Sequence, residues 1–160
     1  MSAHTSLRFV WGLIFLVGCL HAPKHVTAPE PWPMTLDVRL SSLDAGQALA
    51  FPDDARARLE ESCKRRGLKL TEAGDASVEA QVEASTRWYS QLGGRYRWTV
   101  ETVVRIVRTD DQELLSESMF EVPVFLLYDH EREDAALRQA MPVVERQFGE
   151  VLDRWIVSSE

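Results

Sequence analysis

Sulfur, histidine and positive charge are all in short supply in this chain. Two cysteines, Cys19 and Cys63, and four histidines stand among 160 residues. Two thiols permit one intrachain disulfide at most and no cysteine cluster for a metal. Lys and Arg number 18 against 25 Asp and Glu, a formal net charge of −7. That balance argues against nucleic acid as a partner, because nucleic acid requires a concentrated basic surface. Long apolar runs are missing too. The N-terminal run Phe9 to Gly18 holds ten residues, half of the ~20 that cross a ~30 Å hydrocarbon core as a helix. No P-loop, nucleophile elbow, zinc-protease helix motif or Gly-rich dinucleotide turn occurs. No catalytic residue, cofactor or metal site is therefore expected, and the chain reads as non-enzymatic.

What is present begins at the N-terminus. Arg8 is the one charged residue ahead of or within the apolar run, and the run closes on Leu16-Val17-Gly18-Cys19. A basic start, an apolar stretch and small residues at a cut make an export signal. The tetrapeptide resembles a lipobox, in which the cysteine is acylated and becomes the first mature residue. The plainer alternative is an uncleaved anchor or a buried helix start. On the lipobox reading, residues 1–18 are the signal peptide and Cys19 ties the chain to a membrane, at about 0.8 kcal/mol per buried CH₂. Processing leaves 17 basic residues against 25 acidic ones, so the charge moves from −7 to −8. Cys63 is left alone as a buried, small apolar residue. Leu20, in place of Asp, after the cysteine resembles an outer-membrane address with the folded part on the periplasmic side.

Residues 19–33 read as a lipidated cysteine and a Pro-rich linker, since proline fixes φ and biases its predecessor to extended forms. His21 and His25 are solvated linker residues on this reading. Residues 34–160 are one domain's length. Met34, Leu36, Val38 and Leu40 alternate with polar neighbours and predict a strand. Ser41 to Phe51 predicts a loop. Pro52 suits a first helical turn, with Asp53 and Asp54 at its positive end. Ala55, Leu59, Ser62 and Cys63 mark the inner face, Lys64-Arg65-Arg66 a solvated helix end, and Gly67 the stop. A short strand, Leu68 to Thr71, leads through a turn to a strand buried at Val78, Ala80, Val82 and Ala84. Gly93-Gly94 is a hairpin tip. The return strand, Tyr96 to Arg108, turns Trp98, Val100, Thr102, Val104 and Ile106 inward. A polar turn, Thr109 to Gln112, precedes a strand from Glu113 to about Val122 with Leu114, Ser116, Ser118, Phe120 and Val122 inward. Pro123 ends that ladder or marks an edge. A helix from about His130 to Val157 carries an apolar stripe through Leu137, Met141, Val144, Phe148, Val151, Leu152 and Trp155. Asp134/Arg138 and Glu150/Arg154 are its i,i+4 pairs, and Pro142 should kink or divide it. The fold class is α+β, order β-α-β-β-β-α with or without the Leu68 to Thr71 strand. The sheet is mainly antiparallel, with two helices packed on one face.

The helix text ending in Lys64-Arg65-Arg66-Gly67, then Leu68-Lys69-Leu70-Thr71 and Asp75 to Ala80, resembles a small outer-membrane lipoprotein module. With Arg105 to Leu115, and with Asp129 to Asp134 opening a final amphipathic helix, the order of elements resembles the LPS-assembly lipoprotein family. That resemblance implies a plug or scaffold subunit, a β-barrel or other envelope protein as partner, and lipopolysaccharide as a ligand. The alternative is a lipid-anchored binding module for peptidoglycan or another envelope protein.

Within the domain one cluster departs from the acidic background. Arg87, Trp88, Tyr89, Arg95, Tyr96, Arg97 and Trp98 crowd around Gly93-Gly94. Arginines among aromatic rings suit a phosphorylated glycolipid or a protein surface. Cross-strand packing at a sheet end accounts for the same residues equally simply. His130, flanked by Asp129 and Glu131, has no nucleophile fixed near it and reads as a helix-start histidine. Asp53-Asp54 and Asp110-Asp111 fit helix-start and turn roles.

Overall fold

The computed structural model describes residues 28, 32–72, 74–127 and 133–159. Its elements are β1 (Pro33–Ser42), β2 (Gln47–Leu49), α1 (Asp53–Lys64), β3 (Lys69–Leu70), β4 (Val78–Leu92), β5 (Arg95–Arg108), β6 (Leu114–Leu126) and α2 (Glu133–Ser158). The strands form one sheet in the order β2-β1-β4-β5-β6, with β3 pairing β1. Three pairings are antiparallel and two, β1 with β3 and β1 with β4, are parallel. The α+β class and the mainly antiparallel sheet are as read from the sequence.

The inner faces follow from alternation. Met34 and Leu40 of β1 are buried, as are Val78, Ala80, Val82 and Ala84 of β4 and Val100, Thr102, Val104 and Ile106 of β5. Both helices cover this face. Ala55, Leu59, Ser62 and Cys63 are the buried residues of α1. The α2 stripe, from Leu137 through Met141, Val144, Phe148, Val151 and Leu152 to Trp155, is buried throughout. Each such large side chain contributes about 1.5–3 kcal/mol on burial. The opposite sheet face is open.

The structure also departs from sequence expectation. The stretch Ser41 to Phe51 is not all loop. It folds back as β2, pairing Leu40 with Leu49. Pro52 caps α1 in extended conformation, at φ −62° and ψ 133°, and does not sit in its first turn. Gly67, at φ 75°, does end the helix in a left-handed turn. Arg66 is not a solvated helix-end charge. It is 3% exposed, with Nε and Nη2 donating to Asp153 at 2.7 and 3.0 Å and Nη1 to the Ser62 carbonyl and hydroxyl at 3.0 and 2.9 Å. Leu114 is exposed, because a bulge between Ile106 and Val107 shifts the register and turns Leu115 toward the core. Pro123 does not end β6, whose ladder continues to Leu126. It lies on an edge strand, where its missing N–H is tolerated. Pro142 does not divide α2, which is one element from Glu133 to Ser158. Of the two pairs expected on that helix, Arg138 meets Asp134 at 2.8 Å, while Arg154 and Glu150 do not pair among the described residues.

The linker does not remain free up to Pro33. The Ala28 N–H donates to the Arg66 carbonyl at 2.9 Å. Trp32 packs on Trp155 with ring centroids 4.9 Å apart, and its carbonyl accepts from the Lys69 N–H at 3.0 Å. The chain thus joins the domain beside Val78, at the opposite end of β4 from the Gly93-Gly94 turn.

Candidate binding surface at the hairpin end

β4 and β5 are the longest strands, and at their hairpin end they run past β1, whose ladder stops at Thr86, while β6 follows β5 to Tyr96. Their turn needs two residues of positive φ, which Gly93 at 58° and Gly94 at 76° supply. Both values fit the two-residue hairpin turn whose twist matches the strands. Trp88 pairs with Trp98, and Ser90 pairs with Arg97, so Tyr89 is the extra residue of a bulge. A bulge redirects side chains, and here it sorts the predicted cluster between two faces. Arg95 and Arg97 alternate with the buried Val100 to Ile106 set and so stand on the open face with Arg87 and Tyr89. Trp88, Tyr96 and Trp98 stand on the helix-covered face.

The arginines have few anionic partners. Arg87 meets Glu101 at 3.5 Å. Arg97 places its guanidinium 4.6 Å from the centre of the Tyr89 ring, a cation–π geometry. Among the described residues neither Arg95 nor Arg97 has an ion pair. The Arg97 Nε and the Trp98 indole N–H are buried without a hydrogen-bond partner. Tyr96 and Trp98 pack against the core, so the sheet-packing reading holds for those two. Trp88 and Tyr89 are 48% and 60% exposed.

The fold adds residues that sequence reasoning missed. Leu43, in the β1–β2 turn, donates its N–H to the Thr86 carbonyl at 2.9 Å. Asp44 accepts from the Trp88 N–H at 2.6 Å. Phe125 is opposite Arg97 in the β5–β6 ladder, and Leu127 follows the end of that strand. Leu43, Phe125 and Leu127 are all exposed. Among the described residues, five of the eight exposed large apolar side chains therefore gather at this end, around three arginines. Leu43 was hidden in an expected loop. Phe125 and Leu127 lie beyond a proline expected either to end the strand or to mark an edge.

Other candidates resolve differently. Cys63 is a buried core residue whose thiol is pushed up to about 12 by burial, against the opposing charge of Arg66. A thiolate is the reactive form, so this cysteine is inert in the fold. Asp53 and Asp54 occupy the first turn of α1, and Asp54 also accepts from Arg138. Asp111 is held below the ordinary carboxylate range, first by the N–H of Glu113, in a turn that Arg108 closes at 3.0 Å. No group of three His, Cys, Asp or Glu among the described residues is placed to hold a metal. Cys19, His21, His25 and His130 lie outside the described residues. No described helix is long and apolar enough to cross a membrane.

No family model matches the chain, and no curated protein matches it. Solved structures do. A neuraminyllactose-binding hemagglutinin homolog from Helicobacter pylori superposes with a TM-score of 0.51 at 9% identity, over 87% of this chain and 94% of that one. The hypothetical protein CT253 from Chlamydia trachomatis gives 0.50 at 10% identity, over 80% and 99%. A minor lipoprotein from Acinetobacter baumannii gives 0.47 at 15% identity, over 82% and 95%. The first two likenesses, at these identities, show a shared architecture alone, and function has to be argued from residues.

Proposed function

We propose that this chain is a non-enzymatic lipoprotein of the bacterial envelope. Residues 1–18 are its signal, Cys19 carries the lipid, and the domain from Met34 onward stands on the periplasmic side of the outer membrane. The observation that carries this reading is the tetrapeptide Leu16-Val17-Gly18-Cys19 ahead of a short spacer and a small domain without catalytic motifs. The finer reading is a plug or scaffold subunit of an outer-membrane barrel in lipopolysaccharide assembly. It is supported by the order of elements and by the hairpin-end surface. There Arg87, Arg95 and Arg97 offer charge-assisted donors for phosphate, and Trp88, Tyr89, Phe125 and Leu127 offer apolar area for acyl chains or a barrel wall.

The anchor is tested by intact mass of the membrane-extracted protein. A diacylglycerol-modified N-terminus at Cys19 is expected, and Cys19→Ser should accumulate as unprocessed precursor, because a hydroxyl does not replace the acceptor thiol. An unmodified wild type beginning at Met1 overturns the lipoprotein reading. The finer role is tested by purification from detergent-solubilised outer membrane together with depletion. A co-purifying barrel and a loss of surface lipopolysaccharide are expected. Cell-wall enzymes in place of a barrel, with surface lipopolysaccharide intact, would transfer the protein to peptidoglycan.

A further inference from the structure

The two edges of the sheet are finished differently. The outer edge of β1 is covered at one end by β2, opposite Leu40 to Ser42, and at the other by β3, opposite Pro33 and Met34. β6 is a bare edge over all thirteen of its residues among the described residues. Such an edge presents a row of unpaired N–H and C=O groups, and proteins ordinarily guard it with bulges, prolines or charge. Here the bulge and the proline stand at the ends, and the middle carries only two carboxylates, Glu117 and Glu121. The bulge opposite Ile106 and Val107 lies at the start of β6 and Pro123 near its finish. Between them Ser116 to Val122 is regular strand.

The open face beside this stretch is ordered by charge. One row crosses four strands with alternating sign: Arg39 to Glu83 at 3.9 Å, Glu83 to Arg105 at 3.0 Å, and Arg105 to Glu117 at 2.9 Å. It ends at the edge on a carboxylate. The next row runs from Arg87 to Glu101 at 3.5 Å, and Glu101 is then directly opposite Glu121. Like charges opposite one another destabilise a sheet, and Glu121 has no ion pair among the described residues. Met119, 73% exposed, separates the two glutamates on the same face. The first row ends at the edge on a carboxylate, and the second is one cation short.

We propose that the outer edge of β6 accepts a seventh strand, an extended segment of a partner protein. That segment carries basic residues four positions apart with an apolar residue midway. The cations fall beside Glu117 and Glu121, the apolar side chain lies against Met119, and the backbone completes the ladder from Ser116 to Val122. Strand addition of this kind takes affinity from main-chain hydrogen bonds and specificity from alternate side chains. A second copy is the poorer occupant. β6 contains no basic residue, and antiparallel self-pairing centred on Met119 sets Glu117 against Glu121 of the other chain. The inference stands on the sheet edge and is independent of the lipid anchor and of the hairpin surface.

The test uses the full chain in non-ionic detergent and two synthetic peptides, Thr-Lys-Thr-Val-Thr-Lys-Thr and its counterpart with Glu at both Lys positions. Binding is read by calorimetry and amide hydrogen exchange by mass spectrometry. The Lys peptide should bind roughly tenfold tighter than the Glu peptide, since two cross-strand pairs change sign between them. It should also slow exchange in Ser116 to Val122. Glu121→Lys, at an exposed position, should reduce or invert the preference with the fold unchanged by circular dichroism. Equal binding of both peptides, binding of neither, or binding without protection of β6 would overturn the proposal. So would a concentration-dependent dimer that protects β6 in the absence of peptide.

Discussion

Gly149 faces Arg66 across the contact between the two helices, and this pairing yields a test in which two familiar effects oppose each other. An alanine in a helix interior is ordinarily worth about 1 kcal/mol over glycine. Here a Cβ on Gly149 would lie 2.5 Å from Arg66 Nη2 and 3.1 Å from its Cζ. That guanidinium has no room to yield, because Asp153 and Ser62 hold it on both sides. Gly149→Ala must break the Arg66–Asp153 pair or push α2 off α1. Breaking a buried pair by disabling one partner costs about 3–5 kcal/mol. The net expectation is a loss of about 2–4 kcal/mol, the propensity gain offsetting only part of the clash. Urea unfolding followed by circular dichroism reads it, with an unchanged slope showing that the native state is still compact. The cycle is closed in an Arg66→Met background, where the obstacle is gone and the same substitution should be neutral or stabilising by up to about 1 kcal/mol. An equally stable or more stable Gly149→Ala single variant would refute the reasoning.

Charge reversal at the hairpin, Arg95→Glu with Arg97→Glu, should weaken binding of phosphorylated glycolipid or of the barrel partner by about 1.5–3 kcal/mol per lost charge-assisted bond. A thermal melt should shift by no more than the roughly 1 kcal/mol of one cation–π contact. Unchanged binding in the folded variant would reduce the cluster to sheet packing. Acid should loosen the helix pair through Glu145. Burial raises its pKa, but hydrogen bonds from Arg58 and Arg65 outweigh that and hold it below its ordinary 4.5. A carboxylate depressed in the fold contributes stability above its unfolded pKa and loses it as pH falls through the folded value. Urea midpoints should therefore drop below about pH 4.5 more steeply in wild type than in Glu145→Gln, and parallel curves would exclude this strap. Cys63 should resist an aromatic disulfide reagent in the native chain and react only as the chain unfolds, while rapid native labelling would contradict its burial.

Local patterns were legible because burial repeats with the period of the element. The inner residues of α1, the Val78 to Ala84 set and the α2 stripe could be read directly. What resisted reading was long-range. The parallel pairing of β1 with β4 joins residues 44 apart in sequence through α1, and alternation alone does not say which strand is a neighbour. Arg66 looked solvated because the anion that buries it, Asp153, lies 87 residues away. Pro123 looked like a terminator or an edge marker, and only the strand order shows that β6 is the edge. The candidate site was half legible. The hairpin cluster stood out by composition, but the sorting of its two faces depends on a bulge at Tyr89. Leu43, Phe125 and Leu127 reach it only through sheet topology.

If Cys19 carries a lipid as proposed, the docking of Ala28 and Trp32 onto the domain sets an upper bound on the leash. If freedom extended to Pro33, a lipid on Cys19 would hold the domain by fourteen residues, with a contour of about 48 Å. The hydrogen bond from Ala28 to Arg66 leaves nine, a contour of about 30 Å. The volume swept by a tethered body scales with the cube of its reach, so the shorter leash raises the effective concentration of the domain near its anchor about fourfold. It enters beside Val78, whereas the aromatic and arginine tip lies beyond the other end of β4, about 45 Å along the strand. On the proposed lipoprotein reading the leash would thus be shorter than the body it holds, and the end proposed for recognition would be the end farthest from the point of attachment.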